Sequence, residues 1–259
     1  MDTKILKANP DGFAIASEIL KSGGLVAFPT ETVYGLGADA FNTKAVAKIY
    51  SAKKRPNFNP LIVHVIDLET AQKFVYLDAD ALLLANNFWP GPLTIVAPIR
   101  AGSNLSELIT AGLDTIAIRV PAHPVARKLL EIFNGPVAAP SANPSGSISP
   151  TSASHVKNGL NGRIHAILNG GKCNVGLEST IILSQNGECH LLRSGGIPEK
   201  NIEEILGYKL LSNKHPISPI SPGQLSSHYA PNAKLRMNAQ SASEDEYMIG
   251  FGHIIGQLN

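Results

Sequence analysis

Arg119 closes the apolar run "TIAIR", and Arg193 closes "LLR" just before Ser194, Gly195 and Gly196. An arginine in an apolar strand needs an anion, because a guanidinium is almost never fully buried unpaired. That anion is either internal, with Asp114 and Glu178 as candidates, or a carboxylate on a ligand. A third cationic cluster, Lys53, Lys54 and Arg55, follows a helical pattern and precedes Pro56. Arginine offers phosphate oxygens a planar fork and lysine a point charge. Taken alone, the cluster equally describes a solvated helix C-terminus, where cations are favoured. His64 follows the apolar Leu61–Val63 and, taken alone, reads as a core histidine.

Hydroxyl groups gather near the same places. "PTETVYGLGADA", Pro29 to Ala40, sets Thr30, Glu31 and Thr32 just after a strand, and reads as a strand-to-helix loop suited to a small polar ligand. "APSANPSGSISPTSA", Ala139 to Ala153, holds five serines, three prolines and Asn143. Proline-restrained hydroxyls suit ligand contact better than flexibility. "GLESTI" puts Glu178, Ser179 and Thr180 at another strand's start. The usual nucleotide devices, GxxxxGK[ST] and GxGxxG, are absent from the sequence, as are HExxH and GxSxG. Cations, hydroxyls and amides converging at several strand ends are the usual form of an α/β active site.

The elements that must position these groups alternate. Helices are expected in "GFAIASEILKSGG", "NTKAVAKIYSAKK" (opened by Asn42 or Thr43), "DADALLLANNF", "HPVARKLLEIF", "TSASHVKNGL" and "IPEKNIEEILG". Strands are expected in "LVAF", "PLIVHV", "LTIVAP", "TIAIRVP", "GPVAAPSA", "RIHAILNGG", "STIILS" and "ECHLLRSG". Asn186-Gly187 between the last two signals a hairpin, so the sheet is mixed. Residues 1–211 then form one α/β domain. Residues 212–243 read as a Pro/Ser-rich linker that covers the active site, and 244–259 as a strand and turn that start a truncated second domain.

The 259 residues are 44% hydrophobic with a net charge of +2, which allows a full core and makes no demand for nucleic acid. Cys173 and Cys189 form no CxxC pair, so no structural zinc site is expected. No signal peptide or membrane span is visible, and a cytoplasmic, membrane-free location is expected.

"FPTETVYGLG", "KKRPNFNPLIVH", "WPGPLT", "IAIRVPAHP", "APSANPSG" and "GLESTI" resemble, in order, the motifs of the YrdC family of L-threonylcarbamoyl-AMP synthases. "SPGQLSSHYAP" resembles the linker of the longer members. The resemblance implies a twisted mixed sheet of the YrdC type around a large concave positive cavity. It implies a nucleotidyltransferase that makes threonylcarbamoyl-AMP and pyrophosphate from L-threonine, bicarbonate and ATP. The product would pass to a tRNA threonylcarbamoyl transferase for threonylcarbamoyladenosine modification. A catalytic set of Lys53, Arg55, Ser141 and Asn143 is implied. Arg55, Asn59, Thr115, Ser141, Ser149, Arg193 and the linker's Tyr229, with His228 beside it, would meet ATP. Thr32, His64, Arg119, Ala139 and Ser179 would hold threonine. No protein metal site is implied, and Mg²⁺ would be held mainly by the ATP phosphates. Lys54 is given no role. The alternative is a module that grips double-stranded RNA or tRNA without full catalysis. The related carbamoyl-transfer domain of hydrogenase maturation proteins fits poorly, since those chains carry cysteine-rich zinc segments.

Overall fold

Side-chain caps start the principal helices. Asn9, Asn42, Asp78 and Ser152 each accept a hydrogen bond from the backbone N–H three residues on. The helices they open are α1 (Pro10–Lys21), α2 (Thr43–Lys53), α4 (Ala79–Phe88) and α6 (Ala153–Leu160). Also present are α3 (Leu68–Ala71), α5 (Pro124–Phe133) and α7 (Glu199–Leu206). The strands are β1 (Lys4–Lys7), β2 (Val26–Pro29), β3 (Tyr34–Asp39), β4 (Ile62–His64), β5 (Leu93–Pro98), β6 (Thr115–Arg119), β7 (Val137–Ala138), β8 (Ala166–Asn169), β9 (Thr180–Gln185), β10 (Glu188–Arg193) and β11 (Leu211–Ser212). The computed structural model describes residues 2–212, 221 and 233–250.

Among the described residues, eleven strands form one sheet in the order β1-β8-β2-β3-β7-β4-β6-β5-β9-β10-β11. Parallel and antiparallel pairs mix along it, as expected from the Asn186-Gly187 hairpin, whose two residues both have positive φ. Every helix anticipated from the sequence is present. Two strands were not anticipated at the N-terminal side, β1 and β3. The "PTETVYGLGADA" segment is not a strand-to-helix loop but the turn and second strand of a hairpin with β2. Its glycines disguise it. A Cβ on Gly37 would lie 2.8 Å from the Phe28 ring and 2.9 Å from Val137, so the strand must be bare there.

Alternation along the central strands sorts side chains onto two faces. Val63, Ile116, Ile118, Ile95 and Ile182 face the main core, which α2 residues Ala45, Val46 and Ile49 help fill. On the side of β8 and β2 a second core packs Phe13, Leu20, Leu129 and Phe133 from α1 and α5 against Val26 and Phe28. Between them a small cluster of Ile62, Val96, Ala117 and Ile181 floors the opposite face. The site stands on that floor.

The chain divides into two compact units, Met1–Tyr229 and Ala230–Asn259. The expected domain end at residue 211 falls on β11, which pairs with His190 and Leu191 of β10. Within the second unit, Arg236 Nη2 pairs with Glu246 Oε2 at 2.5 Å. The strand expected in 244–259 is reduced, over residues 244–250, to one bridging residue at Met248. Residues 251–259 lie outside the described residues. Among the described residues, no helix is long and apolar enough to cross a membrane.

Candidate active site

β4 and β6 run parallel with His64 opposite Arg119 in register. Directly opposed residues share a face, so pairing alone sets the histidine beside the arginine at the strands' C-terminal ends. Both are almost fully buried. Arg119 is held from three sides. Nε donates to the Gly91 carbonyl at 3.2 Å, Nη1 to Thr32 Oγ1 at 3.0 Å and Nη2 to Glu31 Oε1 at 2.5 Å. Glu31 is itself fixed, because its Oε2 accepts from the Ala122 and His123 backbone N–H groups. Thr32 is fixed by Thr30, at 2.8 Å between hydroxyls. Burial lowers the Arg119 pKa, and Glu31 opposes the shift. The internal anion is therefore Glu31. Of the candidates raised from sequence, Glu178 adds its charge in support of the guanidinium, while Asp114 forms no ion pair with it.

Burial, then the Arg119 charge, lowers the His64 pKa to about 3. The imidazole is neutral at physiological pH, and its Nδ1 makes no hydrogen bond of good geometry. Phe28 meets the ring edge-on at 6.1 Å. A buried ring nitrogen without a well-formed partner is costly, so this position calls for an explanation.

Lys53 does not line the cavity but grips a residue that does. It ends α2, is 1% exposed, and its Nζ donates to the Ser141 carbonyl at 2.5 Å and the Asn143 carbonyl at 2.6 Å. A weaker contact reaches Asn143 Oδ1 at 3.4 Å. In return Ser145 N–H donates to the Lys53 carbonyl, and Asn143 Nδ2 donates to the Ser147 carbonyl at 2.7 Å. The result is a knot that fixes the Ser141–Ser149 loop. Burial, then Arg55, lowers the Lys53 pKa to about 7, against acceptors that match an ammonium's three donors. Lys54 turns outward in the left-handed region, φ 52°, at the helix end.

Arg55 does reach the cavity. Its Nη2 donates to Asn59 Oδ1 at 2.7 Å and to the Pro60 carbonyl at 2.8 Å. Nε donates to the Asn59 carbonyl at 3.2 Å, so Asn59 aims the guanidinium. Burial lowers its pKa to about 10. Arg193 donates from Nε and Nη2 to the Ser179 carbonyl and from Nη2 to Ser179 Oγ at 3.0 Å, while Nη1 pairs with Glu178. Ser179 Oγ also meets Thr94 Oγ1 at 2.7 Å.

One cavity is lined by Thr32, Arg55, His64, Arg119, Ala139, Ser141, Ser179 and Arg193, all drawn from the expected set. Lys53, Asn59 and Asn143 do not line it and instead hold residues that do. Ser149 touches it through Glu178, its Oγ donating to Oε1 at 2.8 Å. Thr115 shares a face with Arg119 but lies four residues back along β6, roughly 13 Å at ordinary strand rise, and is not at the cavity. Tyr229 and His228 lie outside the described residues. Glu178, raised from the sequence as a candidate anion, pairs with Arg193, whereas Glu31 beside Arg119 was not anticipated, although it lies in a motif already singled out. Among the described residues no group of three His, Cys, Asp or Glu could hold a metal ion.

Comparison with known proteins fits this geometry. The Sua5_yciO_yrdC family model, described as "Telomere recombination", matches residues 18–195. A second, "Threonylcarbamoyl-AMP synthase, C-terminal domain", matches residues 197–255. The Bacillus subtilis threonylcarbamoyl-AMP synthase is 45% identical over 252 residues, covering 95% of this chain and 72% of that one. The Pyrococcus abyssi threonylcarbamoyl-AMP synthase is 45% identical over 226 residues, covering 85% of this chain and 66% of that one. The crystal structure of P. abyssi Sua5 complexed with L-threonine superposes with a TM-score of 0.85 at 42% identity, covering 90% of this chain and 70% of that one. The chain belongs to the Sua5/YciO/YrdC family, among its threonylcarbamoyl-AMP synthases.

Proposed function

We propose that this chain makes threonylcarbamoyl-AMP from L-threonine, bicarbonate and ATP, with the cavity above as the place where they meet. The observation that carries the reading is one cavity that brings the Arg119 fork and the neutral His64 together with two further guanidiniums, Arg55 and Arg193, and a loop serine, Ser141. Arg119, its orientation set by Glu31, Thr32 and Gly91, would take the threonine carboxylate. The neutral His64 would offer its Nδ1 to the amine or hydroxyl, beside Thr32, Ser179 and the Ala139 backbone. Arg55, Ser141 and Arg193 would meet ATP, with Ser149 and the linker's Tyr229 adding contacts.

The threonine amine condenses with bicarbonate to give a carbamate and water. A carbamate oxygen then attacks the α-phosphorus, and pyrophosphate leaves. In such displacements a protein chiefly positions groups and offsets charge. Arg55 and Arg193 do so directly. Lys53 and Asn143 act by holding the loop that presents Ser141. Mg²⁺, when bound with ATP, neutralises phosphate charge. The donor set fits a cation held by phosphates and water, since among the described residues no group of three His, Cys, Asp or Glu could hold a metal ion. The product would serve a tRNA threonylcarbamoyl transferase.

Incubation with ¹³C-bicarbonate, ATP, Mg²⁺ and threonine tests the reading by mass spectrometry. Threonylcarbamoyl-AMP one mass unit heavy is expected. Labelled mixtures that yield no such product, at enzyme concentrations comparable to substrate, would sink it.

A further inference from the structure

Each arginine of the cavity already has a carboxylate, but the two carboxylates are held differently. Glu31 is tied to the main chain, its Oε2 accepting from Ala122 N–H at 3.0 Å and His123 N–H at 3.3 Å. Glu178 meets Ser149 Oγ at Oε1 and Arg193 Nη1 at Oε2. Those two donors are the ones assigned above to ATP. Both side chains of the Glu178–Arg193 pair are about nine-tenths buried, at 10% and 11% exposure. The same carboxylate favours the charged forms of Lys53, Arg55 and Arg119. It thus places a negative charge among Lys53, Arg55, Arg119 and Arg193.

A phosphate oxygen asks for the same donors as a carboxylate oxygen. Both anions fit a guanidinium fork, and both accept from a hydroxyl. The cavity opens to solvent, and within it about 50 Å³ is free, room for a few waters. A phosphate that is to reach Ser149 Oγ and Arg193 Nη1 must displace the carboxylate that now takes them. Glu31, fixed by backbone amides, is poorly placed to yield in this way. Glu178 joins side chains that can exchange one anion for another.

We propose that Glu178 is a placeholder for an ATP phosphate. It keeps Arg193 and Ser149 oriented before nucleotide arrives, then yields both to a phosphate oxygen. The inference rests on the ATP assignment above. Its consequence runs against the usual expectation for a buried carboxylate at a site: removing the charge tightens nucleotide binding. A residue that only braced the fold would loosen it.

The test is calorimetric titration of Glu178→Gln and the unaltered protein with a non-hydrolysable ATP analogue, and separately with threonine. The dissociation constant for the analogue should fall by roughly three- to tenfold, the effect of removing one competing charge-assisted contact. Threonine affinity should stay within about twofold, because Arg119 keeps its Glu31 and Thr32 partners. Analogue binding that is unchanged or weaker, with threonine binding intact, overturns the placeholder. An unaltered protein that binds neither ligand instead overturns the functional reading. If Glu178→Gln does not fold, carboxyl ¹³C NMR of the unaltered protein decides. The Glu178 signal should move with the analogue and hold still with threonine, and a signal unmoved at saturating analogue overturns the proposal.

Discussion

At the end assigned to threonine, His64 and Arg119 hang from two strands paired in register, whereas at the nucleotide end Arg55 and Ser141 hang from loops. Strand pairing places side chains through many backbone bonds shared along the sheet. Loops have less of that support: one bridge ties Ser141 to Gly35 of β3, and a buried ammonium adds to it by gripping two carbonyls, those of Ser141 and Asn143. The strand end should therefore fail one contact at a time. The loop end should fail as a unit when its knot is cut. This contrast also divides the motif Lys53-Lys54-Arg55 into three roles: Lys53 inward and positioning, Arg55 into the cavity, Lys54 outward.

The largest effect is expected at Arg119. Arg119→Ala removes the fork and strands Glu31 beside it, and breaking a buried pair costs about 3–5 kcal/mol. The kcat/KM for threonine should fall by about 10³-fold, with ATP-analogue affinity much less affected. Equal losses for both substrates would erase the distinction between the ends. Next comes Lys53→Met, which keeps bulk but leaves two buried carbonyls unmatched at about 1–3 kcal/mol each. ATP-analogue affinity should drop about tenfold or more while threonine affinity changes within about threefold. A threonine defect as large as the nucleotide defect would show that the knot does not belong to one end.

These contrasts were partly legible in the sequence. "PLIVH" and "TIAIR" announce strands, and a polar residue closing each apolar run marks both His64 and Arg119 as exceptional. That they stand opposite one another depends on β4 pairing β6, which no local pattern states. Pairing of charges was illegible for the same reason: Glu31 and Arg119 are 88 residues apart, and sheet order brings them together. β3 was hidden because Gly35 and Gly37 read as loop residues, although Gly37 is required by the close approach of Phe28 and Val137. Lys53 misled in the other direction. A cation at a helix end looks solvated or ligand-facing, and only its carbonyl acceptors 88 and 90 residues away show it as an internal tie. The helices were easiest, since their caps lie within three residues of the groups they satisfy.

A smaller effect concerns pH. His64 has a folded pKa of about 3, below the 6.5 of a free imidazole, so the unfolded chain binds more protons between these values. Its contribution is fully present above about pH 6.5 and is lost as pH falls toward 3, with a slope of up to about 1.4 kcal/mol per pH unit. Urea unfolding between pH 4 and 7 should show a shallower acid limb in His64→Gln. Identical limbs would mean the ring is not buried neutral. The smallest effect belongs to Lys54. Lys54→Gly relieves a left-handed residue at φ 52° and should raise stability by less than about 1 kcal/mol, with turnover within about twofold. A turnover loss beyond tenfold would return Lys54 to the site.

Pyrophosphate release, followed with each substrate omitted in turn and beside Lys53→Met, tests most directly whether the two ends serve one reaction. Release that requires threonine, bicarbonate and ATP together, and that Lys53→Met restores only at raised ATP, is the predicted result. Release independent of threonine or bicarbonate, or a Lys53→Met defect that raised threonine relieves and raised ATP does not, would contradict it.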